Sequence, residues 1–196
     1  LIIGREDVAG YDIIGDVHGC AQARGLLLQE LGYQELHEVW RHPERKAVFV
    51  GDIIDRGAQI RDAMRLVRRM VEAGSAYLAL GNHEYNAVAF GFNIDEPADS
   101  PCRQFQLRLS RHLQLTLQEY RFHEAEWRDT LAWLRQQPLC LEFSHFRVVH
   151  ACWDPLRIGQ ARAIHDGCAL RDEQFLLDSM QRGTEPYRVV ERLLKG

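Results

Sequence analysis

The chain has 196 residues, of which 46% are hydrophobic and 27% are charged, a composition typical of one ordinary globular domain. Its formal net charge of −4 gives no electrostatic basis for bulk nucleic-acid binding. No apolar run approaches the roughly 18 to 20 residues of a membrane helix. The five cysteines show no paired spacing. We therefore expect reduced thiols, a cytoplasmic location and no membrane partner.

The first half of the chain alternates short apolar runs with helical patterns. The apolar runs predict strands over 11–15, 46–50 and 76–80, and the patterns between them predict helices over 20–31 and 60–71. The second of these helices has apolar residues at three- and four-residue spacing. Alternation of this kind is typical of a parallel sheet with right-handed crossovers.

The second half is more helical. A polar loop follows at 93–101, and helical patterns cover 102–120 and 124–137, which we interpret as a helical insertion over about 93–137. The runs 139–143 and 146–151 predict a β-hairpin, and Pro186 indicates a helix start. With no clear boundary in composition, we expect residues 1–196 to form one catalytic domain.

A short polar motif follows each of the three predicted strands. The motifs are GDVHG at 15–19, GDIIDRG at 51–57 and GNHE at 81–84, and the fourth clear strand ends at His150. Ligands of open α/β sheets bind at the carboxyl ends of the strands. We therefore expect all four segments to meet at one edge of the sheet.

The residues brought together there are metal-ligand types. Asp16 and Asp52 offer carboxylates, His18 and His150 offer imidazoles, and Asn82 offers an amide oxygen. Mixed oxygen and nitrogen ligands suit manganese, iron or zinc and argue against calcium. A carboxylate between two such sets can bridge two cations about 3.5 to 4 Å apart.

In order and in spacing, the three motifs resemble the signature of the phosphoprotein phosphatase branch of the calcineurin-like metallophosphoesterases. The resemblance covers residues 11–84 and resumes at 148–151. It implies an α/β sandwich of two β-sheets flanked by helices, and hydrolysis by a metal-bridging hydroxide. It also implies two divalent cations, with manganese the first choice and iron, zinc, cobalt or nickel as alternatives.

The resemblance also assigns roles to individual residues. One metal would be held by Asp16, His18 and Asp52, and a second by Asp52, Asn82 and His150, with Asp52 bridging the two.

For catalysis, the resemblance implies that Arg56 and Asn82 bind the phosphate group. His83 would be the general acid towards the leaving group, and Asp55 would orient it. These roles match the chemistry, because phosphoryl oxygens need positive charge and a leaving oxygen needs a proton.

The chain departs from the family pattern near its end. The family carries one more ligand histidine, in a late Gly-His motif, whereas His165 here has no glycine before it and no strand leading into it. We expect that His165 is not this ligand and that a further Gly-His motif and more strands lie beyond Gly196. The second metal site would then be the weaker one.

Three functions stay open on the sequence. The first is a Ser/Thr protein phosphatase-like enzyme acting on phosphomonoesters, and the second is a dinucleoside tetraphosphate hydrolase, so the partner would be a phosphoprotein or a nucleotide. Relatives of the second kind tend to carry Asp after GNH, where this chain has Glu84, which favours the first. Glu84 itself we interpret as the first-turn acid of a helix. The third is a non-catalytic metal-binding regulatory module, against which Asp55, Arg56 and His83 argue.

Overall fold

The computed structural model describes residues 8–92, 97–109, 113–164 and 169–196. The first part of the predicted insertion and His165 therefore lie outside the described residues. The helices and strands are, in chain order, β1 Gly10–Ile14, α1 Ala21–Glu30, β2 Gln34–Leu36, β3 Val39–Arg41, β4 Arg45–Phe49, α2 Ile60–Glu72, β5 Ala76–Leu78, α3 Asn82–Gly91, α4 Pro101–Leu109, α5 Gln114–Glu119, α6 Glu124–Leu134, β6 Cys140–Glu142, β7 Arg147–Val149, α7 Pro155–Arg162, α8 Glu173–Ser179 and α9 Glu185–Leu194.

A three-stranded parallel sheet forms the centre of the fold, in the order β1-β4-β5. Ile14 pairs with Phe49, and Phe49 pairs with Leu78, so the three strands end level with one another. The predicted parallel sheet is confirmed. Because the ends are level, the loops after all three strands leave the sheet at the same edge.

Helix α2 packs its apolar stripe against this sheet. The stripe is fully buried and repeats every three or four residues: Ile60, Ala63, Met64, Val67 and Met70. The helix ends at Glu72, and the left-handed Gly74 follows its C-terminal cap, Ala73.

The hairpin β6–β7 covers the other face of the parallel sheet. Its Phe143 ring lies 4.7 Å from Tyr11 and 5.4 Å from Tyr77, centroid to centroid. Phe143 also stacks on Phe146 at 4.2 Å. This second apolar layer confirms the α/β sandwich of two packed sheets.

Three helices, α4 to α6, lie between α3 and the hairpin, and we call them the helical segment. The predicted helix over 102–120 is described in two parts, α4 up to Leu109 and α5 from Gln114, and residues 110–112 between them lie outside the described ranges. Helix α5 packs against α2, and α4 and α6 pack against α3. In the described ranges no helix is long and apolar enough to cross a membrane.

Candidate metal centre

Three histidines surround one oxygen of Asp52 at the carboxyl edge of the sheet. Asp52 Oδ2 lies 3.8 Å from His18 Nε2, 3.7 Å from His83 Nε2 and 3.5 Å from His150 Nε2. These residues follow β1, β4, β5 and β7, so the predicted convergence of the four segments is what the fold shows.

Asp52 is almost completely buried, with 4% of its surface exposed. Its second oxygen, Oδ1, accepts a hydrogen bond from the His83 backbone N–H at 3.1 Å. Burial alone would raise the pKa of Asp52, but the neighbouring His150 and His83 outweigh it and lower the pKa overall. Asp52 is therefore held as an anion at the centre of the cluster.

Backbone carbonyls orient two of the histidines. His18 donates its Nδ1–H to the Ile54 carbonyl at 3.0 Å, and His150 donates its Nδ1–H to the Val50 carbonyl at 2.7 Å. Both rings thereby turn Nε2 towards Asp52, which is the arrangement of a metal-ligating histidine. His18 Nε2 is buried and has no hydrogen-bond partner among the described residues.

The negative charge of Asp52 also affects the pKa of His150. Burial alone would lower its pKa, but the hydrogen bonds to Asp52 and Val50 raise it to about 9. His150 therefore carries a proton when no cation is present, and a cation must displace it.

The spacing of these atoms fits a shared cation. Asp16 Oδ2 lies 3.4 Å from His18 Nε2, and His150 Nε2 lies 3.1 Å from Asn82 Oδ1. Two ligand atoms that are each about 2.0 to 2.2 Å from one cation lie about 3 to 4 Å apart. Two compact groups of possible ligand atoms share one carboxylate: His18, Asp52 and His83 in one, and Asp16, Asp52 and His150 in the other.

These donors fit a cation with mixed oxygen and nitrogen ligands, and the unpartnered His18 Nε2 supports this. The resemblance assigns Asp16 and His18 to one metal, and Asn82 and His150 to the other. The compact groups instead place His83 with His18, and Asp16 with His150, so the division of the ligands between two cations stays a prediction.

His83 is hydrogen-bonded to a second buried acid. Its Nδ1–H donates to Asp55 Oδ2 at 2.6 Å, and Asp55 is only 2% exposed. Burial alone would lower the pKa of His83, but the hydrogen bond to Asp55 and the charge of Asp52 raise it overall. The ring therefore tends to keep a proton, with Nδ1 engaged and Nε2 facing the cluster.

Arg56 directly follows Asp55 in the chain, and its side chain lies on the surface. It makes no hydrogen bond or ion pair with any residue of the described ranges, and it is exposed. It lines an open cleft of about 460 Å³, together with Gly57, Ala58, Leu115, Gln118 and Glu119. A free guanidinium at the mouth of a cleft can bind an anion through two parallel hydrogen bonds.

The loop backbone is held in unusual conformations. His18, Asp52, Asp55 and Arg56 all have positive φ, between 44° and 67°. For residues other than glycine such conformations typically cost about 1 to 3 kcal/mol each and persist only where contacts enforce them. The loops are close enough that a Cβ at Gly81 would collide with Asp52.

Glu84 provides many of the contacts that hold this loop backbone in place, a role that sequence analysis missed. The side chain is 0% exposed and accepts hydrogen bonds from the backbone N–H groups of Asp52 at 2.7 Å, Ile53 at 2.7 Å and Ile54 at 3.2 Å. It also accepts a hydrogen bond from the Gly81 N–H, at the start of α3, at 3.1 Å. The predicted role as a first-turn acid is therefore present, but Glu84 also holds the loop after β4. The available signal was that Glu84 directly precedes the mostly apolar run 85–90, where a buried charge needs hydrogen-bond donors.

Comparison with known proteins identifies the family. The family model described as calcineurin-like phosphoesterase matches residues 11–155. Bis(5′-nucleosyl)-tetraphosphatase PrpE [asymmetrical] of Halalkalibacterium halodurans is 45% identical over 74 residues, which cover 37% of this chain and 30% of that protein. The protein of the same name from a Geobacillus species is 36% identical over 113 residues, covering 56% of this chain and 41% of that protein.

The chain thus spans well under half the length of these relatives. Among solved structures, a cold-active protein-tyrosine phosphatase of a psychrophilic Shewanella species superposes with a TM-score of 0.51 at 21% identity, covering 80% of this chain and 47% of that one. A mutant of a cold-active protein tyrosine phosphatase superposes with a TM-score of 0.54 at 18% identity, covering 90% of this chain and 57% of that one. At these identities the likeness shows the fold alone. Since the family model matches most of its length, the chain belongs to the calcineurin-like phosphoesterase family.

Proposed function

We propose that this chain hydrolyses phosphoanhydrides of the dinucleoside tetraphosphate class, using divalent cations held at the candidate metal centre. The observation that carries the proposal is the meeting of three imidazole Nε2 atoms within 3.8 Å of Asp52 Oδ2. The names of the PrpE relatives support the substrate class.

The residues that would hold the cations are those whose donor atoms face the cluster: Asp16, His18, Asp52, Asn82 and His150. When bound, divalent cations supply positive charge to the phosphate oxygens and lower the pKa of the attacking water.

The remaining steps belong to side chains beside the centre. Arg56 binds the phosphate oxygens through its exposed guanidinium, and Asn82 contributes a polar contact at the edge of the sheet. His83 donates the Nε2 proton to the leaving oxygen, while Asp55 keeps Nδ1–H engaged at 2.6 Å. A purely regulatory metal module would need neither this pair nor Arg56.

The preference for a protein phosphatase rested on Glu84, and the structure removes that argument. Glu84 is fully buried beneath the loops and binds four backbone N–H groups. A fully buried side chain does not contact the substrate, so Glu84 gives no direct reason to prefer a phosphate ester over an anhydride. The names of the relatives therefore favour the nucleotide substrate.

The test is steady-state kinetics on three substrates with Mn²⁺: diadenosine tetraphosphate, a phosphoserine peptide and an aryl phosphate. We expect the highest kcat/KM for the tetraphosphate. A higher value for the phosphopeptide would move the assignment to a protein phosphatase. No turnover of any substrate, with cations bound, would support the regulatory module.

The variant His83→Asn tests the proton donor on the same substrates. We expect a loss of roughly 10²- to 10⁴-fold where the leaving group needs a proton, and a much smaller loss on the aryl phosphate. The matched control is His145→Asn in the exposed turn between β6 and β7, which should leave all rates unchanged. Equal losses on every substrate would contradict the role of His83 as proton donor.

A further inference from the structure

A buried threonine of α5 contacts the acid that holds His83. Thr116 is 0% exposed, and its hydroxyl donates a hydrogen bond to Asp55 Oδ1. The other oxygen of the same carboxylate, Oδ2, accepts the Nδ1–H of His83 at 2.6 Å. Thr116, Asp55 and His83 therefore form a continuous row of hydrogen bonds that begins in the helical segment.

Helix α5 also holds the chain that follows Asp55. Glu119, one turn after Thr116, accepts hydrogen bonds from the backbone N–H groups of Ile60 and Arg61, each at 3.0 Å. These N–H groups begin α2 and have no partner within that helix. Residues three apart lie on the same helix face, so α5 fixes the loop from Asp55 to Arg61 at both ends.

The loop needs external support at this point. Asp55 and Arg56 have φ of 66° and 67°, in the left-handed region that residues other than glycine rarely adopt. The local backbone therefore does not select the orientation of the Asp55 carboxylate by itself. The hydroxyl of Thr116 does, because it occupies one oxygen and leaves the other for His83.

The choice of residue at 116 is informative. A valine would fill the same buried volume without a polar atom, whereas a buried hydroxyl left unpaired costs about 1 to 3 kcal/mol. A threonine in this place is explained by the hydrogen bond that its hydroxyl donates.

We propose that Thr116 is a positioning residue for proton transfer by His83. The proposal rests on the proposed function. Thr116 fixes Asp55, Asp55 fixes the plane of the imidazole, and Nε2 then faces the leaving oxygen. The proton passes from Nε2 to that oxygen as its bond to phosphorus breaks, and water supplies the replacing oxygen. The helical segment thus contributes directly to the geometry of the active site.

The test compares Thr116→Val with Thr116→Ser. Valine keeps the shape and removes the hydroxyl, and serine keeps the hydroxyl. Using the poorest leaving group that the wild type cleaves, we expect Thr116→Val to lower kcat by roughly 10- to 100-fold with KM unchanged, as a small misplacement of a catalytic group does. The aryl phosphate should show little loss, and Thr116→Ser should restore the rate.

Thr130→Val is the matched control. Thr130 is a second buried threonine of the helical segment, in α6, and it is not a hydrogen-bond partner of Asp55 or His83. It should leave the leaving-group dependence unchanged. Thermal unfolding of all three variants separates a general loss of stability from the kinetic effect.

A second measurement needs no turnover. The proton NMR signal of His83 Nδ1–H, recorded with diamagnetic Mg²⁺, should move in Thr116→Val and stay in place in Thr116→Ser. An unmoved signal in Thr116→Val, or a serine variant as slow as the valine variant, would overturn the positioning role. An inactive wild type would defeat the proposed function instead, and the NMR signal would still decide the role of Thr116.

Discussion

Glu84 joins the two loops that carry Asp52 and Asn82. Burial raises the pKa of its carboxyl group, and the charge of Asp52 raises it further, while the backbone N–H donors act in the opposite direction. The carboxyl group offers acceptor oxygens to four donors at once. Its removal should therefore damage the metal centre as well as the fold.

The variant Glu84→Gln tests this role. An amide turns one acceptor oxygen into an NH₂ donor facing other donors, so we expect a loss of about 2 to 3 kcal/mol in the free energy of unfolding. Urea unfolding at pH 7 measures it. Glu173→Gln is the control, since Glu173 is the exposed first-turn acid of α8. If both variants unfold at the same urea concentration, Glu84 does not organise the loops.

The sequence predicts the residues that gather at the centre but not those that hold them. Asp16, His18 and Asp52 directly follow predicted strands, so their meeting point follows from the parallel topology. Thr116 and Glu119 have no such signal. They contact residues about 60 positions away, and a threonine or glutamate in a short helix is locally indistinguishable from one that faces water.

Two acids of α6 pair with arginines of α2: Asp129 with Arg68, and Glu126 with two arginines. Glu126 accepts a hydrogen bond from Arg61 at 2.6 Å and another from Arg65 at 2.8 Å. Burial alone would raise the pKa of Glu126, but the hydrogen bonds from Arg61 and Arg65 outweigh it and lower the pKa. Since α5 and α6 are consecutive, this contact also supports the position of Thr116.

The expected consequence is a pH-dependent contribution to stability. A carboxylate with a lowered pKa in the folded state stabilises the protein above its unfolded pKa, near 4.3, and loses that effect as the pH falls through the folded pKa. Glu126→Gln should therefore lower the free energy of unfolding by about 0.5 to 1 kcal/mol at pH 7. The difference from wild type should shrink at and below about pH 4.

Urea unfolding at several pH values measures this difference. Glu124→Gln, on the same helix but exposed, serves as the control. A difference that is constant with pH would show that Glu126 acts through packing and not through its charge.

One supersecondary element escaped sequence analysis for a definable reason. The β2–β3 hairpin turns at His37 and Glu38, which have φ of 51° and 63°. Tight hairpin turns with two positive φ values usually carry Asn-Gly or Asp-Gly, which were the signals to look for. Neither residue here suggests a turn, whereas β6–β7 was predictable because two apolar runs flank Ser144 and His145.

At the scale of the whole molecule, two layers of strands place the centre. The parallel sheet brings the loops after β1, β4 and β5 to one edge, and the hairpin adds His150 from the second layer. Helix α9 supports that loop, since the Ala151 N–H donates to the Leu193 carbonyl at 3.0 Å. The alternation of strands and helices predicted the parallel sheet, and the resemblance to the metallophosphoesterases implied the second layer.

Crystals grown with Mn²⁺ and measured for anomalous scattering test the central claim most directly. We expect a peak beside the Asp52 carboxylate, with Asp16 and His18 among its ligands at about 2.0 to 2.2 Å. A second, weaker peak near Asn82 and His150 would complete the proposed pair. An anomalous map with no peak at Asp52 would contradict the account. A structure in which the side chains of Asp16, His18 and Asp52 face apart would contradict it as well.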